Sequence, residues 1–145
     1  MADIFSSLKR SEIMRAVRSK DTAPELALAH MLRSMRIRYR RHVAWLPGRP
    51  DFLLPDLQTA VLVHGCFWHQ HKNCVRARVP KSNTKFWSRK LGRNVSRDAR
   101  VIGALRRRGL RVITIWECAF SDPDKVARRL EHVEQRVGAK RKRSK

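Results

Sequence analysis

Residues 51–63 read Asp51-Phe52-Leu53-Leu54-Pro55-Asp56-Leu57-Gln58-Thr59-Ala60-Val61-Leu62-Val63. Asp51 to Leu54 is a short apolar run, Pro55-Asp56 has turn chemistry, and Ala60 to Val63 is rich in β-branched side chains. Short apolar runs bounded by turn residues suit buried strands better than helices. A third such run, Val112-Ile113-Thr114-Ile115-Trp116, follows further along. Between the second and third, Thr84 can cap a helix running to about Arg108, with Leu91, Val95, Ile102 and Leu105 inward and Gly109 as its stop. Strand, strand, helix, strand, with helices on either side, makes an α/β sandwich around a mixed sheet.

The flanks carry their own punctuation. Residues Ser7 to Arg18 read as a short helix, broken by Ser19 to Asp21. Thr22-Ala23-Pro24-Glu25 is a capping-box pattern, and a helix should follow with Leu28, Leu32 and Met35 at helical spacing. Arg38 to Val43 alternates and reads as a strand, and Leu46-Pro47-Gly48-Arg49-Pro50 is a turn. Asp122-Pro123 opens a last helix that buries Val126, Leu130, Val133 and Val137. One domain over residues 1–138 is expected, with a basic, disordered tail at 139–145.

Charge narrows the partners. The 145 residues hold 34 Lys and Arg against 12 Asp and Glu, a net +22. The five basic groups between Lys140 and Lys145 are under a quarter of that excess, so the charge belongs to the folded body. Such a balance calls for a polyanion, and nucleic acid is the usual one. A membrane surface would want a basic amphipathic helix with a bulky apolar face, or a lipidation signal, and neither is clear. No apolar run approaches the length of a membrane span. Met1-Ala2-Asp3-Ile4-Phe5 lacks the basic head and apolar stretch of a signal peptide, so an intracellular, cytoplasmic protein is expected. Its three cysteines are then thiols or metal ligands before they are disulfides.

Cys66, His69, His71 and Cys74 fall close together, and Cys118 returns after the third strand. Three cysteines and one histidine fill a tetrahedral zinc site, and spacing alone admits either His69 or His71 as the fourth ligand. With no open position for water, such a zinc is structural. The alternative is buried thiols beside surface histidines. Asp51 stands at the start of a strand, where a carboxylate can serve a divalent metal; Mg2+ takes oxygen ligands and activates water for phosphodiester hydrolysis. Taken alone, Asp51 reads rather as a cap on the turn before it. His64 and His69 flank Phe67-Trp68, and an unperturbed histidine titrates near neutrality and can take a proton from attacking water. Glu25 already has a use in the capping box. Phe67, Trp68 and Trp87 interrupt basic segments, where aromatic rings can stack on bases or wedge between base pairs. They can equally pack over the cysteine loop. Met14 and Val17 could enter from the other groove, with core packing as their alternative.

Several strings together carry a resemblance: Met14-Arg15-Ala16, Asp21-Thr22-Ala23 with Glu25, Leu46-Pro47-Gly48-Arg49-Pro50-Asp51-Phe52, His64-Gly65-Cys66-Phe67-Trp68-His69 and Trp116-Glu117-Cys118-Ala119. With these the chain resembles the very short patch repair (Vsr) DNA mismatch endonucleases. The resemblance implies a restriction-endonuclease-like core and an enzyme that nicks one strand at a T:G mismatch left by deamination of 5-methylcytosine, leaving a 5′-phosphate. It implies catalytic Mg2+ on the Asp51 carboxylate and the Val63 main-chain carbonyl, with Val63 standing where the family has threonine. His69 would be general base or its helper, with His64 and Glu25 supporting the attacking water and the phosphate. Structural Zn2+ would take Cys66, His71, Cys74 and Cys118. Phe67, Trp68 and Trp87 would form the wedge, with Met14 and Val17, on an N-terminal DNA-contacting helix at 7–18, reaching the minor groove. Double-stranded DNA with a mismatch is the implied partner of a monomer acting at the bacterial nucleoid, linked to a cytosine-5 DNA methyltransferase and repair proteins. The competing expectation is a non-cleaving, zinc-containing DNA- or RNA-binding module.

Overall fold

The computed structural model describes residues 21–143. The expected helix at 7–18, with Met14 and Val17, lies outside the described residues. Helix α1 (Ala23–Ser34) is followed by strands β1 (Arg40–Arg41), β2 (Phe52–Leu54) and β3 (Thr59–His64), helix α2 (Thr84–Arg107), strand β4 (Arg111–Trp116) and helix α3 (Pro123–Arg143). The strands lie in the order β1-β2-β3-β4. The first two pairings are antiparallel, and β3 pairs parallel with β4, from Thr59 opposite Arg111 to His64 opposite Trp116. The expected mixed sheet between helices is therefore present. A parallel pair needs a crossover, and α2 supplies it.

Side chains alternate across β3. Val61 joins Phe52, Leu54, Ile113 and Ile115 against Leu28 and Leu32 of α1 and Val126, Leu130 and Val133 of α3. Ala60 and Leu62 face the other way, onto Leu105, Val101 and Ile102 of α2. His64, two residues beyond Leu62, therefore sits on the α2 side. None of the helices among the described residues is long and apolar enough to cross a membrane.

Four details differ from expectation. Strand β1 keeps only Arg40–Arg41 of the expected run to Val43, because His42 adopts φ +48. The ladder nevertheless continues as His42 N–H to Asp51 O at 3.1 Å and Val43 N–H to Pro50 O at 3.2 Å. Thr84 is the first helical residue of α2 and Asn83, at φ +54, precedes it; the Thr84 hydroxyl donates to Lys81 O instead. Val95 is 45 % exposed, and the buried residues of α2 are Trp87, Leu91 and Leu105. Helix α3 continues through Gly138 to Arg143, where alanine, lysine and arginine are good helix formers.

Candidate active site and metal centre

Asp51 closes the turn that begins at Leu46. Gly48 takes φ +70 with its α-carbon against α2: a β-carbon there would lie 2.4 Å from Val101 Cγ1, so only glycine lets the turn approach the helix. The turn delivers Asp51 beside β3, where its Oδ2 accepts the Val63 N–H at 2.7 Å. Burial pushes the Asp51 carboxyl up to about 7, against the pull of that amide, and the negative charge of Glu25 adds to the rise.

Glu25 makes the expected capping box. Its Oε2 accepts from Thr22 N at 3.0 Å and from the Thr22 hydroxyl at 2.8 Å, while the Glu25 amide donates back to that hydroxyl at 3.4 Å. Its Oε1 is buried with no hydrogen-bond partner. Glu25, His42 and Asp51 bring one donor atom each within 4.8 Å of one another.

Across the same cleft, of about 860 Å³, stand His64, His69 and Asp98. The two imidazoles stack at 3.8 Å between centroids and 6° between planes. Burial pushes His64 down to about 4, with His69 beside it adding to the fall, so His64 is neutral near pH 7. His69 Nδ1 lies 2.6 Å from Asp98 Oδ2. Arg97, next to Asp98 on α2, also lines the cleft.

The loop after β3 is pinned at several points. Cys66 N–H donates to Glu117 Oε1 at 3.0 Å, the Gln70 side chain donates to Phe67 O at 2.7 Å and Ala77 O at 3.1 Å, and Asn94 of α2 donates to Trp68 O at 3.0 Å. Cys66, His71, Cys74 and Cys118 form a second candidate metal cluster, with His71 Nδ1 3.7 Å from Cys66 Sγ and 3.5 Å from Cys118 Sγ. The His71 ring stacks on Trp116 at 4.2 Å. This arrangement groups His71 with the thiols and sends His69 to the cleft. Burial pushes the Cys66 thiol up to about 12.

Phe67, Trp68 and Trp87 meet as a ring cluster with centroids 5.0 to 6.1 Å apart. Trp87 is only 5 % exposed and backs the other two, while Phe86 beside it is 53 % exposed. Sequence reading singled out neither Asp98 nor His42, nor the clamp at Glu117. His42 stood in a presumed strand, Asp98 in a helix rich in charge, and no local pattern marks either. A cluster of histidines and one cleft-facing acid emerges only when α2 folds over the loop.

Residues 2–76 match the family described as "DNA mismatch endonuclease Vsr". The chain is 43 % identical over 126 residues to the DNA mismatch endonuclease Vsr of Escherichia coli (strain K12), covering 87 % of this chain and 80 % of that protein. It is 41 % identical over 133 residues to the type II nicking enzyme V.XorIIP of Xanthomonas oryzae pv. oryzae, covering 92 % and 97 %. In structure it is similar to the catalytic domain of the homing endonuclease I-Bth0305I, with a TM-score of 0.57, 25 % identity, and 81 % and 98 % of the two chains covered. The expected restriction-endonuclease-like core is borne out by that likeness together with the mixed sheet. From its motifs, its fold and its relatives, the chain belongs to the Vsr family of DNA mismatch endonucleases.

Proposed function

We propose that this chain nicks one strand of double-stranded DNA at a T:G mismatch, by Mg2+-dependent hydrolysis that leaves a 5′-phosphate and starts very short patch repair. DNA endonuclease activity follows from the family; the T:G pair, the single cut and the ion are what the proposal adds. One observation carries it. The acids Asp51 and Glu25 face the His64–His69–Asp98 set across one cleft, and the loop that brings His69 also brings Phe67 and Trp68. A non-cleaving binding module has no use for that juxtaposition.

The residues fit a divalent cation. Glu25 Oε1 is buried without a hydrogen bond, and the raised Asp51 carboxyl marks negative charge held out of water with too little to balance it. Asp51 would hold the ion, with the Val63 main-chain carbonyl as a further oxygen and Glu25 supporting the attacking water and the phosphate. When bound, Mg2+ would lower the pKa of water and neutralise charge building on the phosphate. His69, with Nδ1 directed at Asp98, is left with Nε2 free to accept the proton of the attacking water. Neutral His64, stacked on it, leaves the protonated form of His69 free of a second positive charge.

The thiol cluster fits zinc. Legs of about 2.3 Å to sulfur and about 2.0 Å to nitrogen at tetrahedral angles put S and N about 3.5 Å apart. The observed 3.5 and 3.7 Å agree with that. Cys66, His71, Cys74 and Cys118 would hold Zn2+ in a closed, structural site that ties the loop to the end of β4. Phe67 and Trp68 would wedge into the mismatch with Trp87 behind them, and Met14 and Val17 would enter from the minor groove. The enzyme would act as a monomer at the nucleoid, downstream of a cytosine-5 DNA methyltransferase and ahead of repair proteins that refill the nick.

The test is a panel of mismatched duplexes with and without Mg2+. Wild type should nick the T:G duplex only with Mg2+, and Asp51→Ala should lose nicking while binding within a few fold of wild type. Equal cutting by both proteins would remove Asp51 from the chemistry, and equal cutting of paired and T:G duplexes would remove the mismatch.

A further inference from the structure

We propose that His42 supplies a nitrogen donor to the cation site of Asp51 and Glu25, making it a site that takes Mn2+ by a direct imidazole bond. The inference rests on the reading above that a divalent cation sits at Asp51, and it adds an unassigned nitrogen ligand.

His42 is brought there by backbone geometry. Its φ of +48 ends strand β1, while its own N–H bonds to Asp51 O at 3.1 Å, so the two residues are fixed to each other through the main chain. The side chain then lines the cleft with Glu25, Asp51 and Val63. His42 Nε2 is buried and makes no hydrogen bond, as is Glu25 Oε1, from which it stands 3.7 Å away. That separation is too long for a hydrogen bond. On an octahedral ion with legs of about 2.1 Å two neighbouring donors stand about 3.0 Å apart, so a bound ion would draw the pair closer together. Two orphaned polar atoms facing one another across such a gap are satisfied together by a cation, and burial of both without one is costly.

The other charged groups at this point leave room for it. Arg41 Nη2, itself buried without a hydrogen bond, lies 3.9 Å from Glu25 Oε1 and 2.9 Å from Asp21 Oδ1, so it competes for Glu25 while Asp21 counters its charge. Asp21 also stands 3.5 Å from His42 Nε2, which offers a plain ion pair as the competing role for the histidine. Asp21, Glu25 and Asp51 together outweigh Arg41 in charge. An all-oxygen set suits Mg2+, whereas imidazole suits the softer transition ions, and Mn2+ accepts both donor types.

The experiment uses the full chain with its zinc retained and Mn2+ alone as probe, with protein in excess. Pulsed EPR reads the hyperfine coupling of a directly bound 14N to Mn2+, and Mn2+ affinity is taken from the free-ion EPR signal. Wild type should show the 14N coupling. His42→Gln, or His42→Asn if the first loses its zinc or its helical circular dichroism, should lose it and bind Mn2+ about ten-fold more weakly. His69→Gln should keep it. A wild-type complex without 14N coupling, or a His42 variant that retains it, overturns the proposal and leaves the cation site standing. Failure of Asp51→Asn to weaken Mn2+ binding would instead sink the cation site itself, and the proposal with it. A histidine that only pairs with Asp21 moves neither the coupling nor the affinity.

Discussion

His69 Nδ1 and Asp98 Oδ2 stand 2.6 Å apart, joining the loop after β3 to the middle of α2. A carboxylate on one ring nitrogen fixes the tautomer and leaves the other nitrogen basic. Asp98→Asn keeps the shape and can present an amide N–H to Nδ1, which favours the wrong tautomer. Nicking should fall by about 10²- to 10⁴-fold, in the range seen when the orienting acid of a histidine base is neutralised. Binding to the mismatched duplex should stay within a few fold. Single-turnover rates over a pH series check this, and an unchanged rate would leave His69 without its base role.

The two perturbed groups of the cleft act on stability with opposite signs. Asp51, raised to about 7, binds protons more readily folded than unfolded, so its contribution is present at low pH and is lost as pH rises from about 4 to about 7. His64, lowered to about 4, must stay neutral in the fold, so its contribution is lost as pH falls from about 6.5 to about 4. Between about pH 4 and 6.5 the slopes oppose, each at most about 1.4 kcal/mol per pH unit. Without added Mg2+, Asp51→Asn should melt higher than wild type above pH 7, and its stability should rise more steeply across the acidic window. His64→Gln should show the reverse slope. Thermal melts from pH 4.5 to 8 check both; parallel curves for all three proteins would contradict the assignments.

The strings Pro47-Gly48-Arg49-Pro50-Asp51 and His64 to His69 were legible because their chemistry is local. A turn, a strand end and a metal-ligand spacing are each written within a few residues. Even so, Asp51 taken singly read rather as a cap, and spacing could not choose between His69 and His71. Three-dimensional placement groups His71, stacked on Trp116, with the thiols and sets His69 against Asp98. Asp98 and His42 were illegible for the same reason in reverse: each meets its neighbours on another element. Val95 was misplaced because helical spacing gives a face but not what covers it at each turn.

Gly48 makes a different kind of demand. Alanine there would combine a positive φ with a β-carbon 2.4 Å from Val101 Cγ1. Gly48→Ala should cost about 1–3 kcal/mol in denaturant unfolding, from backbone strain and overpacking together. Adding Val101→Ala should recover only the overpacking part. Full recovery would show that the φ carries no cost, and no loss at all would mean that the turn does not need its close approach to α2.

The aromatic cluster divides into two roles by burial. Trp87→Ala should destabilise the fold by about 3–5 kcal/mol, as for large aromatic truncations in a core. Trp68→Ala should leave the melting temperature within a few degrees and should narrow the preference for mismatched over paired duplex. Competition binding with the two duplexes, beside thermal melts, separates them. A Trp68 variant that discriminates as well as wild type would dismiss the wedge.

Glu25 gives one oxygen to the start of α1 and the other to the cleft. A free glutamate must surrender its rotamers when it joins a site, a loss of up to about 2 kcal/mol. Here the helix has already taken those rotamers, through two hydrogen bonds to Thr22. Whatever Glu25 meets in the cleft meets a side chain with little left to lose. The rigidity of a helix start thereby becomes readiness at the place where the chemistry happens.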